Sequence, residues 1–141
     1  MASAIVDASV AVKWFLREPD SHLARAFGAS ATVMLAPEFL VLEVANALRK
    51  AVATGAVSRD YAEQSIAIAR RIFDPLIETD SLINKAFTSS LTLRHPIHDC
   101  LYLVAAERLD LPLITADAAF VAKLAGTPFA QRVVLLADWK P

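Results

Sequence analysis

Four of the 15 acidic residues stand apart from the others because they lie beside or inside apolar segments. Asp7 and Asp117 each follow a short apolar run, Asp99 precedes another, and Glu43 interrupts the most apolar helical pattern of the chain. Carboxylates that crowd together repel each other unless a cation lies among them. Hard oxygen ligands select Mg²⁺ or Mn²⁺ rather than zinc. If these four acids meet in space, they therefore indicate a divalent-metal site.

The elements that must position these acids alternate between short apolar runs and helical patterns, which is typical of a parallel sheet covered by helices on both faces. Strands are predicted at 4–6, 32–35, 76–79, 113–115 and 133–136, and helices at 9–17, 21–27, 37–53, 59–73, 81–94, 100–109 and 118–124. A chain of 141 residues leaves little room for a second domain. We therefore predict one α/β domain over residues 1–141, an α/β/α sandwich with a central parallel five-stranded sheet.

Two of the acids are expected at one edge of this sheet. Asp7 and Asp117 each follow a predicted strand, and the carboxyl ends of parallel strands form the crevice where open α/β folds bind ligands. Helices that begin there direct their first backbone N–H groups into the same crevice. Their joint placement favours a shared site over two unrelated acids.

Each acid also has an explanation that involves no metal. Aspartate is a favoured N-cap residue, so Asp7, Asp99 and Asp117 could each cap a helix. Glu43 lies about two turns into its predicted helix, too deep to cap it. It therefore faces water, forms a buried salt bridge or binds a cation, because an unpaired carboxylate in an apolar face costs several kcal/mol.

Several other polar residues lie close to these acids in the sequence. Ser9, Asn46 and Thr115 are each two or three positions from one of them, where side chains can orient carboxylates and waters around a metal. Caps or local backbone hydrogen bonds would explain them equally simply. Lys13 and Arg17, one turn apart on the first predicted helix, are candidate contacts for phosphate, or else part of a solvated helix face.

Composition excludes several classes of protein. The net charge of −1 is unlike the basic balance common among nucleic-acid-binding proteins, so any such contact needs a local patch. The single cysteine, Cys100, excludes an internal disulfide and a cysteine-rich zinc site. No dinucleotide-binding, Walker or H-E-x-x-H motif occurs, so we predict no organic cofactor. Without a basic leader or an apolar run of ~20 residues, we expect a soluble, cytoplasmic protein with no membrane partner.

The chain is apolar enough to cover a partner as well as fill a core. Hydrophobic residues make up 56% of it, and the mean hydropathy is +0.46. Trp14 and Phe15, on the first predicted helix, could receive an amphipathic helix of another protein. A core position for Trp14 is the alternative.

Four stretches, in order along nearly the whole chain, carry a family resemblance: VDASVAVKWF at 6–15, APEFLVLEVANAL at 36–48, HDCLYLVAA at 98–106 and LITADAAF at 113–120. Together they resemble PIN-domain proteins, and more narrowly the VapC-type toxins of toxin–antitoxin (VapBC) pairs. The resemblance implies a single PIN-like domain and a Mg²⁺- or Mn²⁺-dependent endoribonuclease. It also implies RNA as substrate, in single-stranded or loop regions, a cognate VapB-type antitoxin as inhibitor, and a homodimer.

The resemblance also implies roles for individual residues. It makes four acids the metal-binding and catalytic residues and places three polar residues around them: Asp7, Glu43, Asp99 and Asp117, with Ser9, Asn46 and Thr115. The corresponding hypothesis is that the metal polarises the scissile phosphate and lowers the pKa of an attacking water. Asp99 or Asp117 would accept the proton of that water.

A different functional class also clusters acids around Mg²⁺ at strand ends. A receiver-like phosphoacceptor needs adjacent acids after its first strand and an acceptor aspartate at the end of its third. Here no acid pair precedes Asp7, and the third predicted strand ends in Glu78-Thr79-Asp80. A haloacid-type phosphatase needs Asp-x-Asp, whereas Ala8 and Ser9 follow Asp7. Both alternatives fit the sequence poorly.

Overall fold

The centre of the molecule is a parallel sheet of four strands. The computed structural model describes residues 2–141, so the first residue of the predicted domain lies outside the described part. The strands are β1 (Ser3–Val6), β2 (Val33–Leu35), β3 (Leu113–Thr115) and β4 (Val133–Leu135), in the spatial order β2-β1-β3-β4. Consecutive residues of β1 and β3 are buried, which requires cover on both faces of the sheet.

Seven α-helices surround the sheet: α1 (Ala8–Phe15), α2 (Ser21–Gly28), α3 (Phe39–Ala53), α4 (Arg59–Ile72), α5 (Ile83–Leu93), α6 (Ile97–Leu109) and α7 (Ala118–Lys123). Two 3-10 turns, Thr79–Leu82 and Leu136–Asp138, complete the regular structure of residues 2–141. Pairs of helices pack together: α1 with α2, α3 with α4, and α5 with α6. None of the helices described is both long and apolar enough to cross a membrane.

Helix α6 passes through the core rather than along the surface. Seven consecutive residues, from Cys100 to Ala106, are buried, so the helix is covered on every side. Tyr102 is among the largest fully buried side chains of the protein. Burial raises the pKa of the Cys100 thiol to about 11, which keeps this cysteine protonated near neutral pH.

The prediction of a fifth strand at 76–79 is wrong. This segment contributes a single bridge, in which Ile77 pairs with Pro37. The pairing cannot extend backwards because Pro75 has no N–H, and it cannot extend forwards because Phe39 begins α3. Asp80 therefore lies in a 3-10 turn and does not follow a strand of the sheet.

The first helix is shorter than predicted. It ends at Phe15, because the Ser21 hydroxyl donates to the carbonyl of Leu16 and accepts from the N–H of Glu18, which turns the chain. Arg17 therefore lies beyond the helix, and the prediction that it lies on the first helix one turn after Lys13 is wrong.

Candidate metal centre

Asp7 and Asp117 lie at the carboxyl ends of neighbouring strands, as the strand pattern predicted. Asp7 follows β1 and caps α1, accepting from the N–H of Ser9 at 3.4 Å. Asp117 follows β3 and caps α7, accepting from the N–H of Phe120 at 3.0 Å. Each of these aspartates therefore caps a helix and also lies at the edge of the sheet. Capping does not exclude a role for either of them in a site.

Glu43 and Asp99 reach the same place from two helices. Glu43 lies in the second turn of α3, and Asp99 in the first turn of α6, whose N-cap is Pro96. Capping therefore does not explain Asp99. The two carboxylates line one cleft together with Asp7 and Asp117, and its volume is about 330 Å³. The structure thus brings the four singled-out acids together from four separate elements.

Hydroxyl groups hold the carboxylate of Asp7. The Thr115 hydroxyl donates to Oδ2 at 2.6 Å, and the Ser9 hydroxyl donates to the same oxygen at 3.0 Å. Ser9 also accepts from the N–H of Ala116, and Thr115 accepts from the N–H of Asp117. Thr115 is close to Asp117 in the sequence, but its hydroxyl donates to Asp7 on the neighbouring strand end. Its hydrogen bonds therefore connect the ends of β1 and β3.

Aromatic and histidine side chains hold the acids of the helix side. The Tyr102 hydroxyl donates to Oε1 of Glu43 at 2.6 Å, and His95 Nε2 lies 2.5 Å from Oδ2 of Asp99. Sequence reasoning missed both partners. The only sequence signal was their distance from Asp99. Tyr102 lies three positions after Asp99 and His95 lies four positions before it, spacings at which side chains on a helix are neighbours.

Burial and repulsion from neighbouring carboxylates make ionisation of Asp7 and Glu43 unfavourable. Desolvation raises the pKa of Asp7, and the Asp99 carboxylate raises it further, against the hydrogen bonds from Thr115 and Ser9. Desolvation also raises the pKa of Glu43 to about 7; the Tyr102 hydrogen bond opposes this rise, while the charges of Asp7 and Asp99 add to it. A cation among these carboxylates would remove the repulsion.

The donor set fits a hard divalent cation that keeps part of its water shell. Among residues 2–141, no three His, Cys, Asp or Glu side chains are placed to ligate one ion together. Mg²⁺ commonly binds one or two carboxylates and retains several waters, so a cleft walled by carboxylates with room for waters suits it better than an ion that needs a full protein cage.

Among residues 2–141, no Lys or Arg forms a salt bridge with any of the four acids. The place of such a cation is therefore not taken by a Lys or Arg side chain. Of the residues that the structure describes, Lys13 is the one Lys or Arg lining the cleft, and its amino group donates to the carbonyl of Pro19. The buried salt bridge considered for Glu43 is therefore not formed. In the described part of the chain, no Lys or Arg thus pairs with the carboxylates of the cleft.

Two residues singled out by sequence lie elsewhere. Asn46 is exposed, and its Oδ1 accepts from Nε of Arg49 at 3.4 Å instead of supporting Glu43. Arg17 lines a separate groove of about 1280 Å³ beside the cleft. Of the two candidate phosphate contacts, only Lys13 lies at the cleft.

Solved structures with the same fold come from distant relatives, and no curated protein matches the sequence. A toxin–antitoxin complex from Klebsiella pneumoniae aligns with a TM-score of 0.67 and 19% identity, over 94% of this chain and 97% of that one. PAE2754 from Pyrobaculum aerophilum gives a TM-score of 0.66 and 19% identity, over 96% and 90%. VapBC-5 from Mycobacterium tuberculosis, a member of the VapBC family of toxin–antitoxin systems, gives 0.55 and 18%, over 96% and 98%.

At these identities the alignments show a shared fold. The sequence match is more specific, because the family model of the PIN domain matches residues 4–125, which include all four acids of the cleft. The chain belongs to the PIN domain family.

Proposed function

We propose that this protein is a metal-dependent endoribonuclease and the toxin of a toxin–antitoxin module. The observation that carries the proposal is the cleft in which carboxylates from α3, from α6 and from the ends of β1 and β3 converge without a Lys or Arg partner among the residues described. PIN domains are generally nucleases, and two of the aligned structures are toxin–antitoxin proteins. An RNA-cleaving toxin of this kind would act in the cytoplasm.

The proposed metal is Mg²⁺ or Mn²⁺, held by the acids of the cleft: Asp7, Glu43, Asp99 and Asp117. When bound, it would polarise the scissile phosphate and lower the pKa of the attacking water. Ser9 and Thr115 orient the Asp7 carboxylate, and Tyr102 orients that of Glu43. Asp99 or Asp117 accepts the proton of the water.

The proposed substrate is single-stranded RNA or a loop of structured RNA. The backbone of an unpaired RNA strand is flexible and can enter a cleft that is open to solvent. In a duplex, base pairing holds the phosphates at a fixed spacing, so the backbone cannot adapt to the cleft in the same way. Lys13 lines the cleft and offers a cation for one phosphate. With a net charge of −1, the protein has no general attraction for nucleic acid, so recognition depends on this local contact.

The proposed antitoxin contact is the large groove beside the cleft. Trp14 and Phe15 line it together with the basic side chains of Arg17, Arg25 and Lys50. The core-facing side of Trp14 is fixed, since its ring stacks on Phe73 and its N–H donates to the carbonyl of Ala24. An amphipathic helix with apolar and acidic faces would complement such a groove.

The proposed homodimer would use an apolar stripe on α5. Ile83, Phe87 and Leu91 are spaced by four residues, so they lie on one side of the helix, and their exposed fractions are 41%, 57% and 65%. A soluble protein rarely leaves such a row in water. Light scattering of the purified protein checks the expected dimer mass.

The decisive test of the nuclease is cleavage of a single-stranded RNA by wild-type protein and by Asp7→Asn. We expect the wild type to cleave with Mg²⁺ or Mn²⁺ and to stop when the metal is chelated. The variant should lose about 1000-fold or more in rate, since charge stabilisation by a bound metal contributes several kcal/mol to the transition state.

The matched control for this test is Glu107→Gln, which neutralises an exposed acid on α6 and should cleave at the wild-type rate. Cleavage by Asp7→Asn at the wild-type rate, or wild-type cleavage that persists in chelator, would exclude the proposed nuclease site.

A further inference from the structure

A histidine outside the acid cluster contacts one of its members. His95 lies between α5 and α6, and its Nε2 is 2.5 Å from Oδ2 of Asp99. Both side chains are partly buried, with exposed fractions of 14% and 18%. An ionised carboxylate only accepts hydrogen bonds. Nε2 of His95 therefore carries a hydrogen and donates a hydrogen bond to Asp99.

The imidazole ring is held in place from a second side. It stacks on the buried ring of Phe120, with centroids 4.8 Å apart and planes inclined by 26°. Phe120 lies in α7, and its backbone N–H donates to Oδ1 of Asp117. Through this stacking, the residue that contacts Asp99 packs against the residue whose N–H binds Asp117.

The backbone that carries His95 is also anchored. The Ser90 hydroxyl donates to the carbonyl of His95, and the N–H of His95 donates to the carbonyl of Ser90. The preceding Arg94 has a φ of 52° and ends α5, and its carbonyl accepts from the amino group of Lys123 at 2.6 Å. A ring fixed through both its backbone and its face can hold a hydrogen-bond partner in one orientation.

We propose that His95 is the positioning residue for Asp99, fixing Oδ2 so that Oδ1 is presented for metal binding. This inference rests on the proposed function, in which Asp99 is one of the metal-binding acids. Oδ1 of Asp99 has no hydrogen-bond donor among residues 2–141, and His98 Nε2 lies 3.9 Å from it. A donor that occupies one carboxylate oxygen removes the rotational freedom that metal binding would otherwise have to restrict.

Two replacements of His95 separate positioning from simple packing. His95→Gln keeps an N–H donor that can reach Asp99, whereas the shorter His95→Asn withdraws it, and both keep a polar side chain of similar character. We expect His95→Asn to bind Mn²⁺ about 10- to 100-fold more weakly than wild type, the usual cost of losing such a partner. His95→Gln should recover most of this loss.

The measurements are calorimetric titration with Mn²⁺, thermal unfolding of the metal-free proteins, and RNA cleavage at varied metal concentration. The rate of His95→Asn should recover at high metal concentration with the KM for RNA unchanged, which a packing defect would not produce. His22→Asn is the matched control, because His22 is exposed and outside the cleft, and its Mn²⁺ affinity should equal that of wild type.

The two variants overturn the inference if they bind Mn²⁺ equally well, or if His95→Asn binds it as tightly as wild type. Asp99→Asn, titrated in the same way, keeps that failure distinct from failure of the proposed function. Weak binding by Asp99→Asn with normal binding by His95→Asn removes only the positioning role. Normal binding by Asp99→Asn removes Asp99 from the metal site and the inference with it.

Discussion

The two sides of the cleft hold their acids by different means. On the strand side, β1 and β3 place Asp7 and Asp117. Two hydroxyls and a backbone N–H donate to the carboxylate of Asp7, and a backbone N–H donates to that of Asp117. On the helix side, Glu43 and Asp99 each depend on one side chain, Tyr102 or His95. The sheet thus fixes one half of the site as part of the fold, whereas single hydrogen bonds orient the other half.

This difference has energetic consequences. Asp7 is buried, so loss of a donor there leaves an acceptor that water cannot easily reach. Glu43 and Asp99 are only partly buried, so water can replace a lost donor. We therefore expect changes on the strand side to affect folding stability most, and changes on the helix side to affect metal binding most.

The largest effect on stability is expected for Thr115→Val, which keeps the shape of the buried side chain but removes the hydroxyl that donates to Asp7. The free energy of unfolding should fall by about 1–3 kcal/mol, because the buried carboxylate of Asp7 loses the shorter of its two hydroxyl hydrogen bonds and keeps only that from Ser9. Urea titration at pH 8 without metal measures it.

Thr88→Val provides the matched control for this change, because Thr88 is exposed on α5 and its hydroxyl reaches only the carbonyl of Asn84. Equal stability of the two valine variants would mean that the strand side does not depend on its hydroxyl network.

The next effect is a dependence of stability on pH that arises from Glu43. Its pKa rises from 4.5 in the unfolded chain to about 7 in the folded protein. Between these values the folded state retains a proton that the unfolded chain has released, so the free energy of unfolding of the metal-free protein should fall as pH rises from about 4.5 to 7. The raised pKa of Asp7 acts in the same direction.

Denaturant unfolding across this pH range, with and without Mg²⁺, checks the sign. Glu43→Gln should flatten the curve, and Mg²⁺ should reduce the fall because it binds the ionised carboxylates. Stability of the metal-free wild type that increases over the same window would contradict the electrostatic account of the cleft.

A smaller effect on stability is expected for Tyr102→Phe, which removes one hydroxyl from the helix side. The free energy of unfolding should change by only about 1 kcal/mol, the net contribution of a typical hydrogen bond. Because that hydrogen bond lowers the pKa of Glu43, its loss should move the onset of Mn²⁺ binding to higher pH. Titration with Mn²⁺ at several pH values follows this onset.

Tyr61→Phe is the control on the other tyrosine, whose hydroxyl donates to the carbonyl of Phe15 away from the acids. An unchanged onset in Tyr102→Phe would show that Tyr102 serves packing alone.

The strand side was also the part that sequence could predict. Apolar runs ending in aspartate place Asp7 and Asp117 at a sheet edge by topology alone. The same reasoning overcounted strands, because an apolar segment such as 76–79 does not reveal that Pro75 and the start of α3 restrict it to one bridge. A strand is defined by its neighbours as much as by its own residues.

The helix side was only partly predictable. Glu43 was conspicuous because an acid in an apolar helix needs compensation, but the compensating Tyr102 sits in a buried run where it resembles any core residue. Asn46 shares a helix face with Glu43 by spacing, yet its side chain bonds to Arg49. Spacing along a helix identifies possible neighbours and does not decide which of them a side chain contacts.

The central claim is that carboxylates from both sides of the cleft jointly bind a divalent cation. Calorimetric titration with Mn²⁺ at pH 8 tests it directly on the wild type, Asp7→Asn, Glu43→Gln and the exposed control Glu107→Gln. We predict saturable binding in the wild type and the control, and its loss when either side of the cleft is neutralised. Equal Mn²⁺ affinity in all four proteins would contradict the account.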